Sequence, residues 1–439
     1  MNSLARFLSV SVFMLLLSQI TAFAEVKVTV DTDKEDAMYS VDEKVEFKVS
    51  VQDGENPASE GALSWTLSMD GFGILQKGEM PLGKVGNNTV EGTLDRPGFL
   101  LLTAVYVGPD KKRAYAYAGA AISPLEIPAS LPVPDDFDEF WKEQKANLAK
   151  VPLKFTESWQ PTKQPVGAGI KAFDVQVECG KDEPPVSGYF AKPENAEPGR
   201  LPAVLWVHGA GVRSSLLQTA VAGAAKGFLS MDINAHGIPN GKPAQYYKDL
   251  SAGKLKTYRV DGNTSREEIY FRGMCLRLVR AIDYLTTRPE WDGKTVAVIG
   301  HSQGGYQALV AGGLDERVTF IGSGVPAGCD HTGMMAERIS GWPKIVPLLP
   351  DGKPDPAVIT ASRYIDGVNF ASRCKAEAIV SVGFIDRTCP PTSVYAAYNA
   401  LQGKKQMINE PDMGHLAPAP IKEQFMEALL EHAGLAVAK

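Results

Sequence analysis

The chain has 439 residues, 44% of them hydrophobic and 22% charged, with a formal net charge of −6. That length exceeds one ordinary domain and calls for two or three, and that composition supplies a real core. The acidic balance, with no basic run, excludes nucleic acid or an anionic membrane surface as the main partner.

The first 24 residues read as a secretory leader. Arg6 supplies the positive start, residues 8–17 the apolar core, and Ala22-Phe23-Ala24 a small-x-small cleavage site with the cut after Ala24. The apolar run is too short to span a bilayer as an anchor, and no cysteine stands near the cut to carry a lipid. Loss of Arg6 takes the net charge from −6 to −7, and the mature chain is expected to be secreted or periplasmic with no membrane insertion. Five cysteines follow: Cys179, Cys275, Cys329, Cys374 and Cys389. They are odd in number, scattered and without metal-ligand spacing, so they read as core thiols rather than a disulfide scaffold, with one bridge left open.

Residues 25–123 carry short alternating stretches. Residues 26–30 and 45–51 alternate apolar and polar with period two, and 61–69 and 99–107 follow between turn residues. With no helical pattern among them, they predict a small β-sandwich of immunoglobulin-like type. Trp65 and Phe72 read as its core or edge aromatics rather than as sugar-stacking residues. A Pro-rich link, 124–134, holds Pro124, Pro128, Pro132 and Pro134, which stiffen the chain and mark a boundary. The second domain, 135–439, opens on Asp135-Asp136-Phe137-Asp138, acidic residues suited to the first turn of a helix.

From about residue 170 strands and helices alternate. Residues 172–177 and 186–190 read as a hairpin, and 201–207 as a buried strand ending in His208-Gly209-Ala210-Gly211. A helix over 216–226, a strand over 228–233 and a long amphipathic helix over 271–288, stopped by Pro289, come next. The apolar run 295–299 leads into Gly300-His301-Ser302-Gln303-Gly304 and a helix-like segment. Strands at 318–323, 379–383 and 407–408 and helices at 391–401 and 421–432 close the chain. Apolar strands alternating with amphipathic helices imply an α/β architecture, a mostly parallel sheet covered on both faces. Residues 234–268 and 327–362 show little pattern and read as loops over the active-site edge.

The Gly-x-Ser-x-Gly pattern between a buried strand and a helix is a nucleophile elbow, which lifts Ser302 above the sheet edge. A serine hydroxyl is a weak nucleophile at neutral pH and needs a base in hydrogen-bond reach. In an α/β-hydrolase fold that base is a late histidine. His415, after the last strand, fits; His331 comes too early, and His432, in the last helix, reads as solvated or capping. His208 and His301 flank the two turns and read as their supports. The acid is expected from a strand end between serine and histidine. Asp386, after 379–383, fits best, with Asp330 and Asp412 as rivals. It would hold the imidazole tautomer and stabilise the imidazolium. The oxyanion hole would take the backbone N–H of Gln303 and that of Ala210.

Several of these strings resemble acetyl xylan esterases of the cephalosporin-C deacetylase family. They are Gly300-His301-Ser302-Gln303-Gly304, Asp386-x-x-Cys389-Pro390-Pro391 followed by Tyr395-Ala396-Ala397-Tyr398-Asn399, Asp366 to Arg373 with Asn369-Phe370-Ala371, and Pro134-Asp135-Asp136-Phe137 up to Trp141. The resemblance spans roughly residues 131 to 435. It implies a serine esterase that needs no metal or cofactor, removes acetyl groups from sugars, and uses Ser302, Asp386 and His415. Ala235-His236-Gly237 replaces the family's Arg-Gly-Gln, Leu416 replaces its Glu after the histidine, and family members usually lack a β-sandwich in front. The acyl and sugar preference and the family's ring-like oligomer are therefore left open. Two rivals stand beside this reading: a prolyl-oligopeptidase-like serine peptidase, which would need a β-propeller that the sequence does not show, and a catalytically silent carbohydrate-binding protein.

Overall fold

The computed structural model describes residues 26–82, 88–163, 165–181 and 183–436. The expected leader, residues 1–24, lies outside them.

The N-terminal region is built from β1 (Val26–Thr32), β2 (Met38–Tyr39), β3 (Val45–Asp53), β4 (Asn56–Pro57), β5 (Ala62–Met69), β6 (Phe72–Met80), β7 (Thr89–Gly92), β8 (Gly98–Val107) and β9 (Arg113–Ile122). One sheet runs β1-β3-β4 with β7 also on β3, the other β2-β9-β8-β5-β6. Period-two alternation sorts the side chains by face. Val45, Phe47, Val49 and Val51 point inward from β3 and share a core with Leu63, Leu67, Leu100 and Leu102 of the second sheet. Trp65 packs half-buried against that core, whereas Phe72 is exposed on the edge strand β6.

The link is docked rather than held free as a spacer. Pro124–Glu126 makes a short 3-10 turn with Pro124 buried, and Ile127 sits in the core of the second domain. Phe99, Ala37 and Ala121 of the N-terminal region belong to that same core.

The second domain comprises α1 (Phe137–Ala149), β10 (Phe155–Gln160), β11 (Ile170–Val177), β12 (Val186–Pro193), β13 (Leu201–Val207), α2 (Leu217–Ala225), β14 (Leu229–Ile233), α3 (Ala244–Ala252), α4 (Tyr270–Thr286), β15 (Trp291–His301), α5 (Gln303–Leu314), β16 (Phe320–Gly324), α6 (Pro356–Ser362), α7 (Gly367–Ala371), β17 (Glu377–Gly383), α8 (Pro391–Ala400), β18 (Lys405–Glu410) and α9 (Ala419–His432). Its sheet has the order β10-β11-β12-β14-β13-β15-β16-β17-β18. The β10–β11, β11–β12 and β12–β14 pairs are antiparallel, and every pair from β14 to β18 is parallel. Alternate residues of the parallel strands go to opposite faces. Val204, Ala297, Ile299 and Phe320 meet Ile421, Phe425 and Leu429 of α9 on one side. Leu205, Val207, Val296 and Val298 meet α4 and α5 on the other. The α4 face is a helical stripe, with Phe271, Met274, Cys275, Leu278, Ile282 and Leu285 all buried. This is the α/β-hydrolase fold. Parallel strands direct their C-terminal ends to one edge, which gathers the turns after β13, β15, β17 and β18.

Segments expected as loops contain two helices. α3 is short and mostly exposed, with little periodicity to mark it, while α6 carries a local signal in Asp355, whose carboxylate accepts from Ala357 N and Val358 N ahead of Pro356. All five cysteines are buried and free. Among the described residues no helix is long and apolar enough to cross a membrane.

Candidate active site

Ser302 stands between β15 and α5 with φ 59 and ψ −122, a left-handed backbone that a serine adopts only under constraint. The flanking glycines supply the constraint. A Cβ on Gly300 or on Gly304 would overlap the Val207 carbonyl oxygen at the end of the neighbouring strand β13. The two strands can therefore close around the turn only if both positions lack side chains. Backbone bonds complete it: Ser302 N–H donates to Gly324 O at 2.8 Å, and Tyr306 N–H and Ala327 N–H donate to Ser302 O.

Ser302 Oγ lies 2.8 Å from His415 Nε2, and His415 Nδ1 lies 2.7 Å from Asp386 Oδ2. His415 comes from the loop after β18 and keeps its side chain 26% exposed, open to a substrate, whereas the Asp386 side chain is fully buried. Thr388 N–H and Cys389 N–H donate to Asp386 Oδ1 at 2.8 and 2.9 Å, so both carboxylate oxygens are engaged. An acceptor on Nδ1 assigns the proton there and leaves Nε2 free to receive the serine proton.

The rival acids sit elsewhere. Asp330 is buried and engaged by Ser130 N–H at 2.8 Å and Arg338 at 3.1 Å, and Asp412 is exposed. His331 is buried, with its backbone N–H on Asp366 Oδ2 at 2.7 Å, and burial lowers its ring to about 4. His301 stacks on Phe425 at 5.2 Å, and His208 accepts from Arg213 Nε at 3.2 Å; burial lowers both to about 4, which keeps them neutral beside the turns they flank. His432 departs from its expected solvated or capping role. Its ring is tied to Glu377 at 2.8 Å and Thr319 at 3.0 Å, bracing α9 against two strand ends, and the helical register alone could not show those partners.

Gln303 opens α5, and its N–H, one of the unpaired donors of a helix start, is bonded to no other acceptor among the described residues. The same holds for Ala210 N–H. The position of a Cβ on Gly209 falls 3.4 Å from Ser302 Cβ, so the 208–211 turn lies directly over the nucleophile. The Gln303 side chain is itself held: Tyr258 Oη donates to Gln303 Oε1 at 3.1 Å in a buried setting. Tyr258 comes from the segment expected to be loop, and the Trp342 ring of the other such segment lies 6.5 Å from it. Trp342 N–H also donates to Thr388 O at 2.7 Å, beside the acid.

Sequence reasoning did not single out Tyr258, because nothing local distinguishes one tyrosine in an irregular stretch. It marked Cys389 only as part of the Asp386-x-x-Cys389-Pro390-Pro391 string, not as a neighbour of the triad. The heteroatoms of Asp386, Cys389 and His415 lie within 4.8 Å of one another. Burial, with the Asp386 charge added, pushes the Cys389 thiol well above its usual range, so it stays neutral and offers no competing nucleophile. A cavity of about 470 Å³ between the two regions, lined by Asp70, Arg96, Arg338 and Thr392 among others, contains none of these groups.

An elbow serine, a late histidine and a strand-end carboxylate above this sheet are the arrangement of the serine hydrolases with the α/β-hydrolase fold. The chain belongs to the acetyl xylan esterase (AXE1) family, whose model matches residues 127–431. It is 30% identical over 327 residues to the acetyl esterase Axe7A of Xylanibacter ruminicola, covering 74% of this chain and 72% of that one. Among solved structures it is similar to an acetyl xylan esterase from Paenibacillus sp. R4, with TM-score 0.60, 28% identity, 71% of this chain and 98% of that chain. The acetyl xylan esterase 1 of Thermoanaerobacterium sp. JW/SL YS485 shares the fold, with TM-score 0.58, 24% identity, 70% of this chain and 97% of that one.

Proposed function

We propose that the chain is an exported esterase that removes acetyl groups from acetylated polysaccharide or oligosaccharide through an acyl-Ser302 intermediate. The observation that carries this reading is the continuous line Ser302 Oγ, His415 Nε2, His415 Nδ1, Asp386 Oδ2, with steps of 2.8 and 2.7 Å at its two hydrogen bonds. Family membership supports the acetyl group and the sugar, and the leader pattern at residues 1–24 supports export.

In this mechanism Ser302 Oγ attacks the acetyl carbonyl carbon as its proton passes to His415 Nε2. Asp386 stabilises the imidazolium, and the oxyanion is received by Gln303 N–H and Ala210 N–H. The tetrahedral intermediate collapses as His415 returns the proton to the sugar oxygen, which leaves as the alcohol. Water, deprotonated by His415, then attacks acyl-Ser302 and releases acetate. The 327–362 segment, through Trp342, and the 234–268 segment, through Tyr258, wall the site where they meet.

The test is acetate release from acetylated xylan by the mature chain beside its Ser302→Ala variant. The expected result is release by the wild type and loss in the variant. Hydrolysis of p-nitrophenyl acetate through Ser302 without action on xylan would keep the mechanism and move the substrate. Turnover of peptide amides instead would favour the peptidase. Silence on every substrate together with no labelling by an organophosphonate would leave a binding protein.

A further inference from the structure

The acid loop, from the end of β17 to the start of α8, is held within its own domain by Trp342 N–H on Thr388 O and Ile385 N–H on Met413 O, and it is also held from the N-terminal region. Cys389-Pro390-Pro391 leads into α8, and neither proline has an N–H. Pro390 at the cap position offers no side-chain acceptor, which leaves Thr392 N–H as the first free donor of the helix. Its acceptor comes from the other region: Asp70 Oδ2, at the turn between β5 and β6, receives it at 3.1 Å across 322 positions of sequence. Asp70 is buried and holds a left-handed φ of 53 to reach it.

Three further contacts converge on the same loop. Phe99 of β8 packs edge-on against Phe384 at 5.2 Å and against Tyr395 of α8 at 5.6 Å. The bare backbone of Gly119 on β9 lies flat on Phe384, where a Cβ would overlap its carbonyl oxygen. The Arg387 guanidinium sits over the Tyr117 ring at 5.6 Å. Phe384, Arg387 and Thr392, on both sides of Asp386, are thus contacted by β8, β9 and the turn between β5 and β6, while Asp386 faces His415.

We infer that the N-terminal region is part of the catalytic apparatus, with Asp70 as a positioning residue that fixes the acid loop through the first turn of α8. The inference rests on the triad reading above. Thr392 N–H held by Asp70 sets the start of α8. The Cys389 and Thr388 amides just before it then point at Asp386 Oδ1, and this orients Oδ2 toward His415. Burial pushes Asp70 up to about 8, so at neutral pH it caps as an uncharged acceptor, and an amide of the same shape can replace it.

The experiment measures kcat and KM on p-nitrophenyl acetate, with melting temperature, for the full mature chain and its Asp70→Asn and Asp70→Gly variants. Asn keeps the acceptor and tolerates the left-handed backbone; Gly tolerates the backbone and removes the acceptor. The expected result is a fall in kcat of about tenfold to a hundredfold for Asp70→Gly, with KM unchanged, and near-complete rescue in Asp70→Asn. A folded Asp70→Gly that keeps kcat overturns the inference, as does an Asp70→Asn variant as slow as Asp70→Gly. If Asp70→Gly does not fold, Gly119→Ala, which presses on Phe384 instead, carries the same test: a drop in kcat at constant KM supports the inference and an unchanged kcat overturns it. A wild type silent on p-nitrophenyl acetate overturns the triad reading, and this inference with it.

Discussion

The turn that carries Ser302 and the turn that carries Asp386 stand at neighbouring parts of one sheet edge, yet they are held in different ways. The serine turn is closed by its own glycines, by Val207 of the adjacent strand and by Gly324, all within the hydrolase sheet. The acid turn is held within the domain by Trp342 N–H on Thr388 O, and in addition from outside it by Asp70, Phe99, Tyr117 and Gly119, residues that precede the hydrolase domain. A nucleophile has to be held in strained backbone, which demands close local packing. An acid needs only a fixed direction for one oxygen, and distant elements can supply that.

Removing either end of the relay measures the two turns directly. Ser302→Ala should lower kcat by roughly four to six powers of ten with the fold retained, read by acetate release and circular dichroism. A smaller loss would mean that another group attacks. Asp386→Asn should lower kcat by about four powers of ten, because the amide presents the wrong partner to His415 Nδ1. If Asp386→Asn were nearly as active as the wild type, Asp330 or Asp412 would regain its claim despite its position.

This difference in support also decides what could be read from the sequence. The elbow was legible because strand, glycines, serine and helix stand within a dozen residues, and His415 and Asp386 follow from their places after strand ends. The alternating pattern of β3 and the stripe of α4 announced their elements for the same local reason. Asp70 had no such signal: its partner is Thr392, and only the packing of two regions brings them together. The Pro-rich link read as a stiff boundary segment because its prolines were visible, while the seat of Ile127 in the second domain's core was not. His432 looked like an ordinary helix-end residue because Glu377 and Thr319 reach it from other strands.

A milder change sharpens the comparison from the serine side. Tyr258→Phe removes the hydroxyl that holds Gln303 Oε1 and leaves that buried amide oxygen without its partner. The expected cost is about 1–3 kcal/mol in stability. A fall in kcat of up to about tenfold should accompany it, because the Gln303 N–H shifts away from the developing oxyanion. Thermal melts and p-nitrophenyl acetate kinetics read both. A stability loss with kcat untouched would show that the serine turn needs no help from the 234–268 segment.

The smallest effect concerns the acid side and pH. Asp70 has a usual value of 3.8 and is raised to about 8 in the folded chain by burial, with the Asp386 charge adding to it and Thr392 pulling the other way. Between those two values the native state keeps a proton that the unfolded chain has released. Stability therefore falls as pH rises through that window and levels off above about 8. The largest slope one such group can give is about 1.4 kcal/mol per pH unit. The buried rings of His208, His236, His301 and His331 act in the opposite sense at the acid end. Each is lowered from 6.5 to about 4, so stability is lost as pH falls through that interval. The two senses overlap below about 6.5, so melting temperature should peak near that value. Buried Asp232 and Asp366, raised to about 7, share the fall just above it, and Asp70→Asn should flatten the part between about 7 and 8. Arg96 and Arg338 line the same interdomain cavity but are paired with Glu337 and Asp330. A fall between about pH 7 and 8 as steep in Asp70→Asn as in the wild type would mean that Asp70 carries no buried proton at the contact between the two regions.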